Sequence, residues 1–189
     1  MTNTTELDKI VAVSNTGPLV SAFQCGRIDL LQRYFSLIYI TTSEVQELDV
    51  HGWLDEITQL IREGFVVVAD LTDSEKQQAE SVAKRIARSH KSPRSDWRDD
   101  LAEAEAMILM QNRTDDINAA IILLDEKAAR KIAGEMGLKI TGFPGILGRA
   151  GLDGILTKDD IRHHLKTCQQ QGTYYSDRLI ETLAETYGR

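Results

Sequence analysis

Five short apolar runs, each set off by segments of helical periodicity, constrain this chain more than any other feature. They occupy residues 10–13, 37–40, 65–69, 119–124 and 138–141. Rich in Val, Ile and Leu and too short for helices, they read as β-strands. The first four are nearly continuous in apolar residues, as expected of strands covered on both faces. Strands alternating with helices predict an α/β fold with a parallel sheet and helices on either side.

The intervening helices have readable boundaries. Ser43 with Gln46 three residues later fits a capping box opening "SEVQEL". Asp73-Ser74 opens a helix over 74–89, and Gly26 separates helical segments 17–25 and 28–34. Beyond Thr141, "GFPGILGRAGLDG" reads as a short helix between turns, followed by helices over 157–170 and 176–187. Whether these last two pack on the sheet or on a second copy is open at this stage. At 189 residues the chain suits one domain, 1–189, with a core over about 9–150 and a helical extension over about 151–189.

A net charge of -7 argues against polyanion binding by the surface as a whole, but not by a local groove. One stretch runs against that balance. "KRIARSHKSPRSDWR" sets Lys84, Arg85, Arg88, Lys91, Arg94 and Arg98 against the single acid Asp96. It reads either as a solvated helix face or as a phosphate-contacting rim, with Trp97 and His90 able to stack on bases.

Cys25 and Cys168 have no metal-ligand spacing, and reduced thiols are a better reading than a disulfide. The opening "MTNTTELDKI" lacks a secretory pattern, and the longest apolar stretch falls far short of the ~20 residues of a membrane span. A cytoplasmic protein without membrane contact is the expectation. "SNTGPLVS" matches neither phosphate-loop pattern, and no G-x-S-x-G is present. His51, His90, His163 and His164 fall on segments that read as surface.

Ligands of open parallel sheets gather at the carboxyl ends of the strands. Asn15 follows the first strand, Glu44 and Glu47 the second, and Asp125 the fourth. The helix "DDLAEAEAMILM" adds two more acids. With Leu101 at zero on a helical wheel, Glu105 falls within the apolar face and Glu103 nearly opposite, towards solvent. A carboxylate on a buried face needs a cation or a donor. Each position also has an ordinary explanation: an ion pair for Glu105, a helix N-cap for Asp125, a surface residue for Glu47. Hard oxygen donors gathered on one sheet edge would suit Mg²⁺ or Mn²⁺.

In "VSNTGPLVSAFQCGRIDLL", "YITTSEVQEL", "AEAEAMILM", "LLDEKAARKIAGEMGLKITGFPGILGRAG" and "GTYYSDRLIETLAE", the chain resembles the PIN-domain family, in the branch related to the VapC toxins. The resemblance implies a three-layered α/β/α sandwich around a central parallel sheet of four to five strands, plus the C-terminal helices. It also implies Mg²⁺- or Mn²⁺-dependent hydrolysis of single-stranded RNA. By motif, Asn15 takes the place of a first-strand aspartate, Glu47 matches the glutamate of "V-x-E-L", and Glu105 the helix acid. Glu103 is the neighbour of Glu105 in a G-E-x-E-like pattern whose glycine is Ala102 here, and Asp125 matches the fourth-strand aspartate. Asn15, Glu105 and Asp125 would be the metal ligands, and Glu47 a ligand or proton acceptor. Thr16 or Ser14 would position phosphate or water, with Arg85, Arg88, Lys91, Arg94 and Arg98 gripping the substrate. A small antitoxin protein and a second copy of the chain are the implied partners. Asparagine supplies a carbonyl oxygen but no charge, so the resemblance leaves two outcomes: a nuclease with weakened metal affinity, or a non-catalytic module that binds nucleic acid or protein.

Overall fold

The computed structural model describes residues 9–90 and 96–189. Five strands form one all-parallel sheet: β1 (Ile10–Ser14), β2 (Phe35–Ile40), β3 (Val66–Val68), β4 (Ala119–Leu123) and β5 (Ile140–Thr141). Their order is β3-β2-β1-β4-β5. All five expected strands are present, with β1 at the centre. Pairing β1 with β2 on one side and β4 on the other makes a topological switch, and a crevice opens at such points beyond the strand ends.

Successive residues of a strand point to opposite faces, and the sheet is buried on both. Ala12 and Leu123 join one apolar cluster; Val13, Ile122 and Leu124 join the other. The first cluster is closed by α1 (Thr16–Gln24), α2 (Ile28–Tyr34), α3 (Thr42–Val50), α4 (Leu54–Arg62) and α8 (Phe143–Leu152). The second is closed by α5 (Asp73–Ser89), α6 (Leu101–Ile117) and α7 (Lys127–Glu135). Helices on both faces of the sheet make the three-layered sandwich.

The last two helices, α9 (Lys158–Gln170) and α10 (Asp177–Tyr187), belong to the first cluster. Ile161, Leu165, Cys168, Ile180 and Leu183 are buried there among Leu19, Phe143 and Leu147. Of the two packings left open by the sequence, the structure takes the one within the same chain. Gly26 does separate α1 from α2; its φ of 65° lies in the left-handed region that glycine tolerates.

Two helix starts differ from expectation. Helix α3 is capped by Thr41 with Glu44, not by Ser43 with Gln46. The strand runs straight into the cap, so the first hydroxyl after β2 takes the role. Helix α5 is likewise capped by Thr72 with Glu75, one position before Asp73-Ser74. Among the described residues, no helix is long and apolar enough to cross a membrane.

Candidate active site

Strand β1 ends by delivering Asn15 to the centre of the sheet's carboxyl edge. The Asn15 N–H donates to Leu123 O at 3.1 Å, continuing the ladder one residue past the strand. Asn15 occupies the N-cap position of α1, where its side chain would ordinarily accept a bond from the helix backbone. It does not do so. Instead Nδ2 reaches Glu103 Oε1 at 3.4 Å, and Oδ1 is buried with no hydrogen-bond partner. At 4% exposure this residue has left its capping role for the cluster beside it.

The next residue brings in α3. Thr16 Oγ1 donates to Glu47 Oε2 at 2.6 Å, joining the first turns of chain beyond β1 to the helix beyond β2. Gly17 lies over the crevice: a Cβ there would sit 3.5 Å from Asp125 Cβ and 3.8 Å from Asn15 Oδ1. Asn15 and Asp125 therefore both border Gly17 at the ends of β1 and β4. Ser14 is fully buried and spends its hydroxyl on Asn15 O at 2.7 Å, so it does not reach the crevice as a positioning group.

Glu103 corrects the helical wheel. It was assigned to solvent, yet it is half-buried against Asn15, and its carboxyl is pushed up to about 7. Burial is the main cause, and the charges of Glu47, Asp100 and Glu126 add to it. The wheel failed because Leu101 is not the centre of a single buried face. Residues 104 to 110 are all buried, so this stretch of α6 is enclosed all round, while Glu103 in the first turn lies against Asn15 at the sheet edge.

Glu105 is buried as the wheel required, at 7% exposure. Its partner is a hydroxyl rather than an arginine or lysine: Thr41 Oγ1 donates to Oε2 at 3.0 Å. Beside it, Glu44 is fully buried, accepts from Thr41 N with one oxygen and leaves Oε1 without a partner. Burial raises the Glu44 carboxyl well above the ordinary range, and the nearby Glu105 and Glu103 charges raise it further. A cleft of about 240 Å³ opens next to this group, lined by Thr41, Gln46, Asp70, Lys76 and Glu105 among others.

Asp125 is not the N-cap of α7. That role falls to Glu126, whose side chain accepts from Ala129 N at 2.7 Å. Asp125 Oδ1 accepts from Phe143 N at 2.9 Å, and Oδ2 accepts from the Tyr175 hydroxyl at 2.7 Å. Burial raises its carboxyl, opposed by these two donors and by the positive Arg130. Tyr175, Arg130 and Thr41 were not singled out in the sequence. Tyr175 lies in the connection between α9 and α10, and no local pattern marks it as a neighbour of β4.

The basic stretch is largely occupied with its own surroundings. Arg85 pairs with Glu135, Arg98 with Asp96, and Lys84 lies near Glu80. Lys84 Nζ and Arg98 Cζ lie 4.9 and 5.0 Å from the Trp97 ring centroid, so cations already cover that ring. His90 is not a free stacking surface. Its Nε2 lies 2.9 Å from Asp100 Oδ1, and Nδ1 lies 3.7 Å from Glu126 Oε1. Arg88 is exposed. Lys91 and Arg94 lie outside the described residues.

The donors at this edge are hard oxygens, which match Mg²⁺ or Mn²⁺ in chemistry. Among the described residues, no three His, Cys, Asp or Glu side chains form a ready-made metal cage. The buried, unpartnered Oδ1 of Asn15 is nevertheless the kind of lone pair a cation satisfies, and Glu103 carries a charge that its surroundings disfavour. On these two observations the residues fit a divalent cation.

A family model described as a PIN domain matches residues 11–189, from the first strand to the last residue. No curated protein matches the chain at a significant level. With the parallel five-stranded sandwich and the acidic crevice at the carboxyl end of β1, the match over nearly the whole length identifies a nuclease-type fold: the chain belongs to the PIN-domain family.

Proposed function

We propose that this chain is a divalent-metal-dependent ribonuclease that hydrolyses phosphodiester bonds in single-stranded RNA. The observation that carries the reading is the pairing of a buried, unpartnered Asn15 Oδ1 with a Glu103 carboxyl pushed up to about 7 by its acidic surroundings. Such an arrangement is unfavourable in isolation and is relieved by a cation.

Asn15 Oδ1, Glu103 and Asp125 would hold the ion, with Glu47 beside them. Glu103 takes the ligand place that the family resemblance implies for Glu105, which stays bonded to Thr41. When bound, Mg²⁺ or Mn²⁺ supplies a Lewis acid that polarises phosphate and lowers the pKa of a coordinated water. The chain's own residues do the rest. The Asn15 amide nitrogen, spent on Glu103, fixes Oδ1 towards the cluster. Thr16 holds Glu47 in one rotamer, and Tyr175 with Phe143 N–H holds Asp125. Glu47, held by Thr16 beside the ion, would accept a proton as the phosphodiester is attacked. Exposed Arg88 contributes to phosphate binding at the edge. A small antitoxin and a second copy as partners belong to this proposal on the family resemblance alone.

One observation favours a non-catalytic binding module instead. Both oxygens of Asp125 already have protein donors, and Asn15 brings no charge. A single comparison separates the two readings: cleavage of single-stranded RNA by wild type, Asn15→Asp and Asp125→Asn with Mn²⁺, Mg²⁺ or EDTA. The nuclease reading expects metal-stimulated cleavage by wild type, more by Asn15→Asp and none by Asp125→Asn. Salt-sensitive RNA binding without cleavage in wild type would establish the binding module.

A further inference from the structure

The two cysteines stand 143 positions apart in sequence but meet in the fold. Cys25 ends α1 and Cys168 lies on α9. Both sulfurs donate to one carbonyl oxygen, Ser21 O, at 3.2 Å from Cys25 and 3.3 Å from Cys168. Cys25 is half-buried, whereas Cys168 is fully buried. This makes an accessible thiol with a second thiol directly behind it. We propose that Cys25 and Cys168 form a redox-active dithiol site that a small-molecule disulfide oxidises to an intramolecular disulfide. The inference goes beyond the nuclease reading and is independent of it.

The two thiols have the unequal character that such a pair needs. The neighbouring Cys168 thiol holds Cys25 below the ordinary thiol range, and the Arg27 guanidinium adds to this. The neighbouring Cys25 sulfur and burial both raise the Cys168 thiol. Cys25, the accessible sulfur, is the attacking thiolate and Cys168, buried behind it, the resolving thiol. In the first step the Cys25 sulfur bonds to one sulfur of the oxidant, whose S–S bond breaks and releases one small thiolate. In the second step Cys168 attacks the Cys25 sulfur and its proton passes to the departing small thiolate, so the Cys25–small-molecule S–S bond breaks and the second small thiol leaves. Two cysteine thiols are oxidised, and one small disulfide is reduced to two thiols. The new bond would tie α9 to the end of α1, next to Ser21, whose hydroxyl contacts Tyr175 at 2.7 Å.

Glutathione disulfide is the probe, applied to the folded full-length chain, with intact mass, thiol titration and peptide mapping as readouts. Wild type is expected to lose both thiols together, to gain no adduct and to yield a Cys25–Cys168 cross-linked peptide. Cys168→Ser is expected to stop as a glutathione adduct on Cys25. Cys25→Ser should lose its remaining thiol at least about tenfold more slowly than Cys168→Ser, because the remaining sulfur is buried. A stable glutathione adduct on wild type, disulfide-linked dimers, or no reaction of the folded chain would each overturn the proposal. Wild-type mapping decides the matter even if a variant fails to fold.

Discussion

The Tyr175 hydroxyl donates to Oδ2 of Asp125 at 2.7 Å, joining the connection between the last two helices to the end of the fourth strand. The same hydroxyl lies 2.7 Å from Ser21 Oγ on α1. Tyr175 is 4% exposed, and burial together with the Asp125 charge raises its phenol above the ordinary range, so it remains a donor. Tyr175→Phe keeps the ring and deletes the hydroxyl. It is expected to lower stability by about 1–3 kcal/mol, because a buried carboxylate oxygen loses its donor. Urea unfolding of the two proteins measures this; an unchanged midpoint would show that water replaces the hydroxyl.

Glu103 gives the protein a pH dependence of definite sign. Its carboxyl titrates near 4.5 when unfolded and at about 7 when folded, so the folded state holds its proton more tightly. Stability from this group is present below the unfolded value and is lost as pH rises towards 7, then stays level. The loss is at most on the order of 3 kcal/mol. Glu44 and Asp125 are shifted in the same direction and add to the slope. Glu103→Gln should therefore flatten the decline between about pH 5 and about pH 8 without removing it, as read by urea midpoints across that range.

Metal binding would draw on the same group. If Mn²⁺ binds at Asn15 and Glu103, it displaces the Glu103 proton, and affinity should climb with pH up to about 7. Calorimetry in buffers of different ionisation enthalpy would detect the released proton. Glu103→Gln should reduce both the release and the pH dependence, leaving the share that comes from Asp125.

Thr16→Val removes the donor to Glu47 while keeping the side chain's shape. A group that orients a neighbour of a metal ion is typically worth 10–100-fold in affinity or activity, and a loss of roughly that size in metal-stimulated cleavage is expected. An unchanged circular dichroism spectrum and unfolding midpoint would separate this from misfolding.

Two glycines should respond in opposite directions. A Cβ on Gly142 would stand 2.2 Å from Asp125 Oδ1 and 2.9 Å from Leu124 O. Gly142→Ala must displace the carboxylate or the backbone, at about 1–3 kcal/mol. Gly134, inside α7, has nothing within 4 Å of its would-be Cβ, and Gly134→Ala should stabilise by roughly 0.5–1 kcal/mol. Thermal unfolding of both variants reads the contrast.

Sequence alone determined the strands, their assembly into a parallel sheet and the edge where Asn15 and Asp125 lie, because strands alternating with helices are legible from local periodicity. A run such as Ile10 to Val13 reads as a covered strand, of which Ala12 and Val13 are fully buried, and its end carries the polar pair Ser14 and Asn15. Asp125 was legible for the same reason, since it follows closely on β4, whereas Glu47 lies within α3, the helix that follows β2. Tertiary structure alone decided which way α6 presents its acids, since a stretch buried on all sides, as residues 104 to 110 are, has no single face for a wheel to find. Thus Glu103, not Glu105, meets Asn15. Only the packed chain could bring Tyr175 to Asp125 or Cys168 to Cys25, because those meetings depend on where α9 and α10 lie. Their position is set by the apolar cluster they share with α1 and α8. A side chain's neighbours along the chain fix its element; its neighbours through space fix its protonation, its partners and its chemistry.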